Sequence, residues 1–151
     1  MRIEPDMLIL VADGRKILLL RNKGTVGTPD LVVEYGEEQP NPPDRDQKTD
    51  AQGQRPGSIG PGQASAGETD YHQQTENRFA VHAAELLNQR ALQNGFGKLV
   101  VVAAPATLGL LRPRYHQEVK ARLVAEMAKD MTGTPVDRIA AYLSELEPAV
   151  G

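Results

Sequence analysis

Apolar positions gather in short unbroken runs toward both ends of this chain and almost vanish between them. Residues 7–12 read Met-Leu-Ile-Leu-Val-Ala and residues 17–20 read Ile-Leu-Leu-Leu, with Asp13-Gly14 between them. Runs this short, with no polar alternation, predict strands covered on both faces. Asp-Gly between two such runs predicts a hairpin, because both residues tolerate the positive φ that a tight turn needs. Residues 30–35, Asp-Leu-Val-Val-Glu-Tyr, predict a third strand.

From 36 to 70 the pattern stops. Eleven of these 35 residues are Gly or Pro, seven are acidic, three are basic, and Ile59 is the one large apolar side chain. A segment of that composition buries too little surface to offset its ordering entropy. It is read as a long flexible, disordered loop, and loops of that length inside a domain are usually functional or unstructured.

Helical spacing then takes over. Phe79, Ala83, Leu86, Leu87 and Ala91 share one face of a helix predicted over 71–94. Asp70 with Gln73 fits a capping box at its start, and Asn94-Gly95 fits a stop in which Gly takes the left-handed position. Residues 98–104, Lys-Leu-Val-Val-Val-Ala-Ala, predict a buried central strand. Pro105 opens a short helix to about Arg112, Pro113 ends it, and 114–122 adds a turn or two. Residues 123–127 predict a fifth strand, with one continuous helix through 114–130 as the open alternative. Thr134-Pro135 starts a last helix with Val136, Ile139, Leu143 and Leu146 inward. The order β-β-β-α-β-α-β-α implies an α/β fold, a mixed five-stranded sheet with helices on its faces. It is taken as one domain over 1–151.

Composition narrows the function. The chain holds no Cys and no Trp, which excludes disulfides, thiolate metal sites and Cys nucleophiles and suits a reducing compartment. No run approaches the ~20 apolar residues of a membrane helix, and the start does not read as a signal peptide. A cytoplasmic protein with no membrane partner is expected. The net charge of −3 gives no global pull toward nucleic acid, so any RNA contact needs a local basic patch. No DNA partner is expected.

Candidate chemistry is sparse. His72, His82 and His116 lack metal-ligand spacing, so no metal and no cofactor are expected. A metal nuclease built on Asp13, Glu76 and Asp130 is disfavoured, because the Asp-Gly turn already explains Asp13. No Gly-x-Ser-x-Gly or phosphate-binding Gly-rich motif is present. One cluster stands out: Arg112, Arg114, His116, Lys120 and Arg122 fall within eleven residues, with Tyr115 interleaved. Cations with a stacking aromatic suit an RNA backbone. A solvated helix face diluted by Glu118 and Glu126 is the plain alternative. His72, on the polar-aromatic run 69–80, is a further candidate for a partner contact.

Several stretches resemble a bacterial family named host attachment protein: 10–16 (Leu-Val-Ala-Asp-Gly-Arg-Lys), 41–80, 99–112 and 119–132. That family is similar in fold to the middle domain of the class I release factor of archaea and eukaryotes and of Pelota, a ribonuclease H-like mixed sheet. The resemblance implies a translation-associated domain that binds ribosome or tRNA, in rescue or regulation. In release factors, the long loop before the long helix carries Gly-Gly-Gln, which helps place the water that attacks the peptidyl-tRNA ester. Here Gly62-Gln63 occupies that slot, which makes Gly62 and Gln63 the candidate catalytic pair. Pro61 stands where the motif has a flexible Gly, fixing φ and removing an N–H. Whether the chain is an enzyme is left open, with a binding tip favoured over hydrolysis. The alternative is a non-enzymatic interaction protein, docking through 36–70, that affects host attachment indirectly.

Overall fold

The computed structural model describes residues 1–39 and 61–146, with backbone alone at 61–73, 75 and 76. The elements are β1 (Leu8–Ala12), β2 (Lys16–Asn22), β3 (Leu31–Glu38), α1 (Pro61–Leu92), β4 (Leu99–Ala103), α2 (Pro105–Leu111), a 3₁₀ turn (Arg112–Arg114), α3 (Gln117–Arg122), β5 (Leu123–Ala128) and α4 (Val136–Glu145). The strands lie in the order β3-β2-β1-β4-β5. β1 and β2 pair antiparallel, as do β2 and β3, whereas β1, β4 and β5 run parallel. This is the mixed five-stranded sheet with helices on its faces that the apolar runs predict.

Both central strands are buried at every position, as their unbroken apolar runs require. Period-two alternation divides their side chains between two cores. Leu8, Leu10, Val101 and Ala103 face α1, α2 and α3, where they meet Phe79, Ala83, Leu87 and Leu111. Ile9, Val11, Val100 and Val102 face α4, where they meet Ile139 and Leu143. A fully buried side chain of this size contributes roughly 2 kcal/mol. Leu87 has no exposed surface, and its truncation to Ala would cost about 2–5 kcal/mol with the cavity left behind.

The Asp13-Gly14 connection joins β1 and β2 as expected, with Asp13 Oδ1 accepting from the backbone N–H of Arg15 and of Lys16, each at 2.8 Å, but neither Asp13 nor Gly14 takes the positive φ expected of a tight turn. The fifth strand replaces the continuous-helix alternative, because Leu123–Ala128 pairs parallel with β4.

Three boundaries differ from the sequence reading. β3 runs on to Glu38, since β2 is long enough to pair with it as far as Lys16↔Glu38. α1 starts at Pro61 rather than at 71, and ends at Leu92. Proline suits a first helical position, where its missing N–H is not needed. The helix ends in a Schellman arrangement, with Gly95 N–H donating to Arg90 O at 2.7 Å and Asn94 N–H to Ala91 O at 3.0 Å. Asn94 takes the left-handed position, at φ 57°, in place of the expected Gly95.

Both edge strands carry a bulge. The β2–β3 register passes from Leu19↔Tyr35 to Leu20↔Val33, leaving Glu34 as the extra residue. Two consecutive side chains therefore turn toward α1: Tyr35 packs on that core, and Glu34 reaches Arg90 at 2.8 Å. On β5 the extra residue is Val124, between Leu99↔Leu123 and Val100↔Ala125.

Candidate functional site

The basic cluster forms the corner between α2 and α3, beside edge strand β5. Two buried or shared side chains build it. Tyr115 is buried among the α1-facing core, and its hydroxyl donates to Glu126 Oε2 of β5 at 3.2 Å. The other oxygen of Glu126, Oε1, accepts from Arg112 Nε at 3.0 Å. Burial, and then the neighbouring Glu126 carboxylate, push the Tyr115 hydroxyl well above its ordinary pKa of 10. Tyr115 is thus an anchored phenol and not an exposed ring.

Asn88 of α1 clamps the backbone on either side of that anchor. Its Nδ2 donates to Arg114 O at 3.0 Å and its Oδ1 accepts from His116 N at 2.8 Å. His116 in turn caps α3, its Nδ1 accepting from Glu118 N at 3.0 Å. Because Nδ1 accepts, the ring proton sits on Nε2.

Arg122 is committed to holding the corner together. It donates from Nε to Phe96 O at 2.9 Å, from Nη1 to Glu118 Oε1 at 2.7 Å, and from Nη2 to Asn94 Oδ1 at 3.2 Å. Its guanidinium also lies 5.9 Å from the centroid of the Phe96 ring. The pairing with Arg122 lowers the pKa of Glu118.

What faces outward is then clear. The Arg112 side chain is 57% exposed although paired through Nε. Arg114, His116 and Lys120 are exposed. Among the described residues, Arg114 and Lys120 form no ion pair. The corner offers donors held on a rigid turn, which is chemistry suited to an anion.

The other sequence candidates lie elsewhere. Gly62 and Gln63 belong to the first turn of the α1 backbone, and His72 to its first half, with all three side chains outside the described residues. Twenty-five residues separate Gln63 from Asn88, about 38 Å of helix axis. The structure does not bring them to the cationic corner. Most of the 36–70 segment, residues 40–60, lies outside the described residues.

Two polar clusters join β3 to α1. Glu34 accepts from Arg21 at 3.0 and 3.1 Å and from Arg90 at 2.8 Å. Glu37 accepts from the Tyr35 hydroxyl and lies 2.8 Å from His82 Nε2. Both carboxylates are held below their ordinary pKa, Glu34 chiefly by Arg21 and Glu37 chiefly by Tyr35. Asp13 and Asp130 share the Thr132 hydroxyl at 2.9 and 2.8 Å, yet no group of three or more metal-binding side chains exists among the described residues. No described helix is long and apolar enough to cross a membrane.

Sequence reasoning missed Asn88 altogether and missed the parts that Asn94 and Glu126 play in holding the corner. Glu126 left a signal, as the one charge inside an otherwise apolar strand run. Asn88 left little, since a polar residue following Leu87 on a helix reads as an ordinary exposed position.

The model of bacterial archaeo-eukaryotic release factor family 12 matches residues 6–143, and the chain belongs to that family. No curated protein matches the chain.

Proposed function

We propose that this release factor family member works in translation by binding ribosomal RNA or tRNA through the corner of Arg112, Arg114, His116 and Lys120, in ribosome rescue or its regulation. The observation that carries the reading is the set of outward cations on a turn locked by Asn88, Tyr115 and Glu126, in a chain with a release factor family match. Phosphate contact by preplaced Arg and Lys is the sequence-independent part of RNA affinity. A cytoplasmic location follows from this reading.

Hydrolysis of peptidyl-tRNA by Gln63 is disfavoured. Pro61 precedes Gly62 and restrains the backbone where the release motif has Gly, and the pair falls within helical backbone. The test is co-sedimentation with ribosomes across a salt series, repeated with Arg112→Ala plus Arg114→Ala. Binding that the double variant loses supports the reading, and absence of binding at low salt refutes it. In parallel, peptide release from stalled ribosomes is compared for the wild type and Gln63→Ala; release that depends on Gln63 would restore the catalytic version.

A second reading rests on the acidic, apolar-poor composition of 36–70. There the chain is a non-enzymatic regulator that docks a protein partner and affects host attachment indirectly. Affinity capture returning one stoichiometric protein and no ribosomal RNA would favour it.

A further inference from the structure

We infer that the α2–α3 corner reads the phosphate backbone of duplex RNA and offers no Tyr or Phe ring for stacking a base. The inference rests on the RNA-binding reading above and narrows its ligand. Tyr115, the aromatic interleaved with the cations, is buried and tied to Glu126. Phe96, the next ring in the neighbourhood, is buried beneath Arg122. Neither of these two rings is therefore free to receive a nucleobase, and His116 carries the exposed ring of the corner.

Its polar groups point the same way. Outward lie three cations, Arg112, Arg114 and Lys120, and the exposed ring of His116, whose Nε2–H is a donor. The nearby acceptors are engaged: Glu118 with Arg122, Glu126 with Arg112 and Tyr115, and the Asn88 amide with the backbone on either side of Tyr115. Adenine and cytosine edges call for acceptors as well as donors, whereas phosphate oxygens need donors alone. Proteins that hold single strands gain about 1–3 kcal/mol per base from aromatic stacking, and the buried Tyr115 and Phe96 cannot supply it here. A duplex hides its bases and presents phosphates at regular spacing. Donors on a clamped turn match that regularity, so duplex binding loses nothing by the missing ring.

The experiment measures affinity of the full chain for a long-stemmed RNA hairpin, a second hairpin of unrelated stem sequence, and an unstructured pyrimidine strand of equal length, by fluorescence anisotropy from 50 to 200 mM salt. The two hairpins should bind alike and at least fivefold tighter than the single strand. Three phosphate contacts should give a log–log salt slope of about −3, reduced by about 1 in Arg114→Ala. A single strand bound as tightly as the hairpins, or hairpins that differ severalfold, overturns the inference. If that happens while ribosome binding still depends on Arg112 and Arg114, the translation reading stands and this narrowing of it falls. If neither RNA nor ribosomes bind, both fall.

Discussion

Replacing Asn22 by Ala should lower stability by about 3–4 kcal/mol without touching either core. Asn22 is fully buried at the end of β2. Its amide uses both donors and both acceptor positions. Nδ2 donates to Ile3 O at 3.0 Å and Glu4 O at 3.1 Å, and Oδ1 accepts from Gly24 N at 2.9 Å and Asp30 N at 2.8 Å. One side chain thus ties the N-terminal segment to the β2–β3 connection. Each bond contributes about 1 kcal/mol net, and a partner left buried and unpaired costs about 1–3 kcal/mol. The bond to Ile3 is fully buried, while the other three are partly buried and open to replacement by water. Weighting them so gives the stated figure. The assay is urea denaturation with both proteins fitted for midpoint and slope. The midpoint should fall with the slope unchanged. Asn22→Asp should lose at least as much, since it keeps the acceptors but sets a buried carboxylate against two carbonyls. A loss below about 1 kcal/mol in both variants would refute the claim that this amide organises the connection.

Gly24→Ala should destabilise by about 3 kcal/mol in the same assay, because an added Cβ would lie 2.2 Å from Thr28 O and 2.8 Å from Asp30 N, both backbone atoms that cannot step aside cheaply. Arg122→Ala should cost about 2 kcal/mol from its lost hydrogen bonds, and Arg122→Lys should recover little, having no planar fork to span Phe96 O, Glu118 and Asn94. Acid should weaken the β3–α1 junction. Glu34 and Glu37 have folded pKa values below the ordinary 4.5, so their contribution is full above about pH 4.5 and is lost as pH falls through the folded values. Denaturation midpoints between pH 3 and 6 should show this fall, and Glu34→Gln with Glu37→Gln should flatten it.

The sheet was legible because its strands are short apolar runs with little competing pattern. Residues 99–103 are buried at every position, which an unbroken Leu-Val-Val-Val-Ala run demands. Leu123–Ala128 was harder to assign, because Leu-Val-Ala-Glu-Met-Ala fits either period; pairing with β4 decides it, a tertiary effect absent from local sequence. The start of α1 was hidden by composition. Pro61, Gly62 and Gly67 made the stretch look like loop, while the helix formers Ala64, Ala66 and Glu68 among them argued the other way. The corner was legible as charge and not as architecture. Six neighbouring residues were marked, yet spacing along the chain could not tell that Tyr115 and Arg122 turn inward while Arg114 and Lys120 stay outside. That division is made by Asn88, Asn94 and Glu126, which arrive from other elements through contacts 11 to 28 residues away in sequence.

The two bulges bear on how readily another strand could add to either edge of the sheet. An open sheet has two unpaired rows of N–H and C=O groups, and a flat apolar edge invites another strand to add on. Here Val32 and Val33 on one edge and Val124 on the other are exposed, at 41%, 47% and 46%. Each edge has an extra residue beside or within that apolar stretch, Glu34 and Val124. A bulge interrupts the regular spacing of the ladder and adds local twist, so neither edge offers a straight template. Glu34 further brings a carboxylate, neutralised by Arg21 and Arg90 on the protein's own side. A straightened β3 would lose that pairing and present its valines in register. Deletion of Glu34, which removes the bulge residue, would convert a quiet margin of the sheet into a seed for assembly.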